Sequence, residues 1–203
     1  MKKTVTLFSL NEEEYPNINV EVQVVENVAN NIHKMTCGSP FPAIKRAIVS
    51  ARPAMCGEIV DTRPRVEIDG EIYTFHETKR EISKKEEQNG AMVVVNPDGE
   101  EYVINSASKF DNKYEKLANG YIAIDGIKLF AKSNGNYSIK TSWGEEQIVL
   151  KGSYFCIQDM NDIYGVTNTA FESTYTTNPE TIKRIELKIK EILNQRTANA
   201  DSL

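Results

Sequence analysis

The sequence predicts an α+β, mostly β protein with an N-terminal α/β segment, two repeated strand-turn-strand-helix modules and a C-terminal helix. Three observations predict it. Apolar Ile18, Val20, Val22 and Val24 alternate with Asn19, Glu21 and Gln23, the period of a half-buried strand. Tight-turn pairs recur at Asp69-Gly70, Asp98-Gly99, Asp125-Gly126 and Asn134-Gly135, each suited to the positive φ of a hairpin turn. Near the end, Ile182, Ile185, Ile189 and Ile192 repeat at helical spacing.

The elements follow in order. Thr4 to Phe8 is strand-like and lacks the apolar core and cleavage site of a signal peptide. After the alternating strand, Asn27 caps a helix carrying Val28, Ile32 and Met35, with Gly38 as its C′ residue. A second short helix is expected from Pro42 to Ala51, begun near Ser39 or Phe41, with Ile44 and Ile48 one turn apart and Pro53 as its stop. These elements make up residues 1–65. Beyond Gly57 the chain reads as a run of hairpins, and the interval from Glu77 to Gln88 suits an exposed strand pair, a loop or a short helix equally. From Asn178 to Gln195 the cap Asn178, Pro179 at the first helical position and Glu180 at the positive dipole end mark a helix, within a last segment of 178–203. Its isoleucine seam suits packing on its own chain or homo-oligomerisation through Ile182, Ile185, Ile189 and Ile192.

The middle of the chain repeats itself. Gly90-Ala91-Met92-Val93-Val94-Val95 aligns with Gly152-Ser153-Tyr154-Phe155-Cys156-Ile157, and the register carries on through Tyr102 and Tyr164. Phe110 and Phe171 follow, each with a tyrosine four residues later, Tyr114 and Tyr175. Ser106 and Asn168 are candidate caps of a short helix whose face would carry each Phe-Tyr pair over its hairpin. Two modules result, at 66–118 and 119–177, their aromatics expected in the core.

In the second copy, Tyr137-Ser138-Ile139-Lys140-Thr141, Trp143-Gly144-Glu145-Glu146, Lys151-Gly152-Ser153-Tyr154, Ile163-Tyr164-Gly165-Val166 and Ala170-Phe171-Glu172-Ser173-Thr174-Tyr175 carry a resemblance. They resemble a widespread small phage and prophage protein module, with a Pro-Gly-Asp-Tyr strand start and a Phe-Glu-x-Thr-Tyr helix. Lys151 and Ser153 replace that motif's proline and aspartate, as do Asn89 and Ala91 in the first copy. The resemblance implies a phage setting and no established active site, so it transfers no catalytic residue.

Composition bounds the function. The chain has 203 residues, 40% hydrophobic and 26% charged, with a net charge of −5, which disfavours direct nucleic-acid binding and adhesion to anionic membranes. No apolar run is long enough for a membrane span. Cys37, Cys56 and Cys156 form no disulfide framework and point to free thiols in a reducing cytoplasm. His33, Cys37, Cys56 and His76 are zinc-type ligands without zinc-site spacing, and no Cys-His nucleophile pair is evident. No catalytic residue, metal or cofactor is expected.

Against the acidic whole, the stretch from Lys34 to Arg65 has six basic residues and only Glu58 and Asp61 as acids. Phe41, Lys45, Arg46, Arg52, Arg63 and Arg65 are the candidate ligand-binding residues, because forked donors beside a helix N-terminus can hold a phosphate or carboxylate. The expected function is a non-enzymatic phage host-takeover or counter-defence protein that sequesters a small anionic nucleotide-type signal. The alternatives are inhibition of a host defence protein by direct surface contact, an enzyme using Cys37 with His33 or His76, and a virion structural role.

Overall fold

The computed structural model describes residues 1–200, with side chains to residue 198; residues 201–203 of the expected C-terminal tail lie outside it. The chain is α+β and mostly β. It opens with β1 (Lys2–Ser9) and β2 (Ile18–Val25), an antiparallel pair. Helix α1 (Val28–Met35) starts where Asn27 Oδ1 accepts the Asn30 amide at 3.1 Å, as the sequence indicates.

The next segment departs from expectation. Residues 42–51 form two strands and the link between them rather than a helix: β3 (Thr36–Lys45) and β4 (Ile48–Pro53) run through them. Pro40 and Pro42 suit extended backbone, and cross-strand pairing of β3 outweighs the helical spacing of Ile44 and Ile48. Thr36, not Gly38, ends α1; Gly38 lies inside β3 at φ 74°, in a stretch whose pairing register shifts.

Strands β5 (Ile59–Thr62), β6 (Arg65–Ile68), β7 (Glu71–Thr74) and β8 (Thr78–Glu81) follow, then α2 (Lys84–Gln88). Asp69 and Gly70, at φ 52° and 87°, make the β6–β7 hairpin turn. The ambiguous interval from Glu77 to Gln88 is therefore strand followed by helix, the helix fixed by a reciprocal Ser83–Glu86 capping box.

The first repeat continues with β9 (Met92–Val95), β10 (Glu101–Ile104), α3 (Ala107–Asp111) and β11 (Tyr114–Leu117). Then come β12 (Gly120–Ala123), β13 (Ile127–Ser133), β14 (Tyr137–Lys140) and β15 (Glu146–Val149). Strands β16 (Tyr154–Asp159) and β17 (Asp162–Val166), helix α4 (Asn168–Thr174) and β18 (Tyr175–Thr176) complete the second, before α5 (Pro179–Ala200).

Both copies are strand, turn, strand, helix, as the alignment requires. Ser106 caps α3, but Thr167 rather than Asn168 caps α4, and Asn168 instead bonds the backbone of Glu67. Tyr114 and Tyr175 do not share a helix face with Phe110 and Phe171: each helix stops first, and the tyrosine begins the next strand. The rings still meet, with centroids 5.2 Å apart for Phe110–Tyr114 and 5.6 Å for Phe171–Tyr175. Asp125-Gly126 and Asn134-Gly135 are not hairpin turns, because β12, β13 and β14 lie in three different sheets and the chain crosses between them there.

Two five-stranded sheets have matching order, β10-β9-β4-β12-β11 and β17-β16-β13-β3-β18. Their registers also match: Ile122 faces Ile48 as Ile44 faces Ile127, Ser50 faces Val95 as Leu129 faces Ile157, and Tyr114 faces Ala123 as Tyr175 faces Lys45. The repeat thus begins at β3 and again at β12. Each sheet holds one strand from the other repeat: β12 sits between β4 and β11, and β3 between β13 and β18.

A six-stranded assembly, β15-β14-β2-β1-β7-β6, adjoins them. Helix α5 lies over the junction of the repeats, where Ile182, Ile185 and Ile189 are buried with Ile44, Ile122 and Ile124. The isoleucine seam is therefore occupied within its own chain, which leaves those three side chains no surface for a second copy.

Candidate functional site

The six basic-segment candidates do not converge on one cradle. With β3 and β4 in place of the second helix, the helix N-terminus expected at Ser39 or Phe41 is not formed. Phe41 is half-buried against the core, its ring centroid 6.0 Å from those of Phe171 and Tyr154. Arg46 donates to the carbonyls of Tyr175 (3.0 Å) and Glu172 (2.9 Å), near the C-terminal end of α4. Arg52 forks onto the Glu58 carboxylate, and that hydrogen bond holds Glu58 below its usual range. Arg63 pairs with Asp61 at 2.8 Å, and Asp61 also meets His76 at 2.9 Å. Lys45 and Arg65 reach the same turn: Lys45 bonds Asn96, and Arg65 lies 3.6 Å from where a Cβ on Gly99 would stand.

Lys45 is buried, a position its strand pairing dictates. Its Nζ donates to Asn96 Oδ1 (3.1 Å), Tyr114 Oη (2.9 Å) and Tyr102 Oη (3.4 Å), which uses all three donors. Tyr102 and Tyr114 hydroxyls are 2.7 Å apart. In the second repeat Lys128 Nζ donates to Tyr164 Oη at 3.1 Å and pairs with Asp125 at 2.6 Å. Burial, then neighbouring phenols, raise the pKa values of Tyr102 and Tyr164, and burial with the nearby Cys156 thiol raises that of Tyr175. The four tyrosines that mark the repeat in sequence therefore meet as one polar layer between the repeats. Burial pushes the Cys156 thiol to about 11, so it is no nucleophile at neutral pH.

Beside this layer lie carboxyls whose pKa values burial raises. Glu77, on the β7–β8 connection, takes a hydrogen bond from Gln147; burial, then the charges of Glu100 and Glu145, raise its pKa to about 8. Glu100 is raised to about 7 by burial and by Asp98, against a hydrogen bond from Asn96 and the charge of Lys45. Among the described residues, Asp98 Oδ2 is buried and lacks a hydrogen-bond partner. Gln147 Oε1 accepts the Gly165 amide at 2.8 Å, which ties β15 to β17.

That tie positions the β14–β15 turn, a feature no sequence argument singled out as a site. Thr141 and Gly144 close the turn through amide bonds of 2.9 and 3.0 Å, with Gly144 at φ 90°. Ser142 Oγ bonds Asp162 Oδ1 at 2.8 Å, joining the turn to the β16–β17 hairpin. On it stands Trp143, 51% exposed, its Nε1 donating to Glu145 Oε2 at 2.8 Å and its ring centroid 5.9 Å from that of Tyr164. At the adjoining hairpin tip Met160 is 55% exposed. The sequence signal was present, a single tryptophan in a Gly-containing turn, but only the fold brings Glu77 within range of the Glu145 charge.

Among the described residues no three His, Cys, Asp or Glu side chains are grouped to hold a metal ion. No helix of the described residues is long and apolar enough to cross a membrane. No family model, curated protein or solved structure matches the chain.

Proposed function

We propose that the chain is a non-enzymatic phage-type protein that inhibits a host protein by stoichiometric surface contact. The observation that carries this is the exposed Trp143, locked by Glu145 and Tyr164 and flanked by exposed Met160 on the neighbouring hairpin. A large side chain held rigid at the surface loses little conformational entropy on binding, and tryptophan is the residue type most often dominant at protein interfaces. The resemblance of the second repeat to a phage module supports the setting.

The test is expression of tagged chain in a bacterial host, followed by sizing with light scattering. An equimolar complex with one host protein is expected, abolished in the Trp143→Ala, Met160→Ala double variant. Recovery of the wild type alone, or an unchanged complex with the double variant, would defeat the proposal.

One observation favours a second reading, capture of a small anionic nucleotide-type signal: Lys45 and Arg65 flank the same turn, Asn96 to Gly99. Such a ligand would raise the melting temperature at concentrations above its Kd. A nucleotide panel that leaves the melting temperature unmoved excludes it.

A further inference from the structure

The β14–β15 and β16–β17 tips are charged in one sense. Residues 142–146 and 158–162 contain Glu145, Glu146, Asp159 and Asp162 and no basic residue. Glu146 is matched by Lys3 at 2.6 Å. Glu145 has the Trp143 indole as its side-chain partner and lies close enough to Glu77 for its charge to bear on that carboxyl. Glu77 in turn faces Glu100, next to the unpartnered Asp98 Oδ2. An indole face and a carboxylate in contact are the two groups that a guanidinium or ammonium ion binds best, one by cation–π attraction and the other by charge-assisted hydrogen bonds. Burial holds Glu77 behind them largely protonated at neutral pH, so the charge at the site is Glu145's own.

We propose that Trp143 and Glu145 form a receptor for one basic side chain, an arginine or lysine presented by the protein partner. The inference rests on the surface-contact function and names the chemistry of the partner. It also assigns the roles: Trp143 supplies the face over which the cation lies, and Glu145 its hydrogen-bond acceptor.

The chain has a single tryptophan, so its emission reports the site directly. The intact protein is titrated with hexa-arginine, and with hexa-glutamate and a Gly-Ser hexapeptide as controls. A saturable change in Trp143 emission is expected with hexa-arginine alone, weakened about tenfold in Glu145→Gln, as loss of one charge-assisted hydrogen bond implies. Far-UV circular dichroism shows whether that variant is folded. Should it fail to fold, Glu145→Ala gives the second reading of the same titration, with weaker binding expected. An unchanged emission overturns the inference, and so does equal hexa-arginine binding by wild type and a folded variant, which would mean general attraction to an acidic protein. An equimolar host complex without a hexa-arginine response removes the basic-side-chain receptor and leaves surface inhibition standing. A hexa-arginine response that Glu145→Gln weakens, without any host complex, upholds the receptor and removes the inhibitory role.

Discussion

Glu77 and Glu100 hold protons in the folded chain at pH values where the unfolded chain has released them, because their pKa values rise from 4.5 to about 8 and about 7. Folding that favours the protonated form is most stable below pH 4.5 and loses that contribution as pH climbs toward 8. The melting temperature is therefore expected to fall between pH 5 and pH 8. Glu77→Gln, which keeps a neutral group facing Gln147, Glu100 and Glu145, should raise it by about 2–4 °C at pH 8 and flatten the profile. A scan with unchanged slope in the variant refutes the assignment. Lys45 makes the opposite case, a charge that the fold has committed to neutral acceptors. Lys45→Met leaves Asn96, Tyr102 and Tyr114 short of a buried donor and should cost about 2–4 kcal/mol in urea unfolding. Neither group was legible as such in the sequence. Lys45 read as one of the candidate anion-binding residues, and Glu77 only as the start of an interval suited to strand, loop or helix, since local composition carries no information about which strand a side chain will face.

At the level of elements, α5 shows what periodicity can and cannot say. The seam of Ile182, Ile185, Ile189 and Ile192 was readable, together with its Asn178 cap, which accepts the Thr181 amide at 2.9 Å. What the seam would meet was not, because Ile44 and Ile122 lie far away in sequence. Ile185→Ala is expected to destabilise by about 2–4 kcal/mol, while Leu187→Ala on the exposed face should stay within about 0.5 kcal/mol. Equal effects in thermal unfolding would contradict the packing. Strands β3 and β4 teach the converse. Their composition and an isoleucine pair four residues apart suited a helix, and pairing with β13 and β9 prevailed. The hairpins whose strands pair directly, such as the one closed by Asp69 and Gly70, were legible because the turn chemistry is local. The crossings at Asp125 and Asn134 use the same residue pairs, and nothing local distinguishes them. Gly120 marks the tightest point of the exchange: a Cβ there would stand 2.6 Å from the Val49 carbonyl oxygen, at φ 136°. Gly120→Ala should therefore weaken the joint between β12 and β4 and lower the melting temperature, and an unchanged melting temperature would count against that close approach.

The molecule as a whole is defined by the reciprocal exchange of β3 and β12. Because each five-stranded sheet is completed by the other repeat, the halves are expected to unfold together, with Trp143 emission and far-UV circular dichroism tracing one denaturation curve. Two separated midpoints would show the repeats to be independent. The duplication was visible in sequence through Gly90, Gly152 and the spaced aromatics, whereas the exchange was not, since β3 and β12 lack the aromatic signature that aligned the rest. The same arrangement constrains the order of events during synthesis. A chain leaving the ribosome N-terminus first cannot close its first sheet until β12 has emerged, and β3 must wait, unpaired and apolar at Ala43 and Ile44, for β13 and then β18. For much of translation the nascent chain carries open strand edges that chaperones recognise, and its folding is slow for its length, as contacts far apart in sequence dictate.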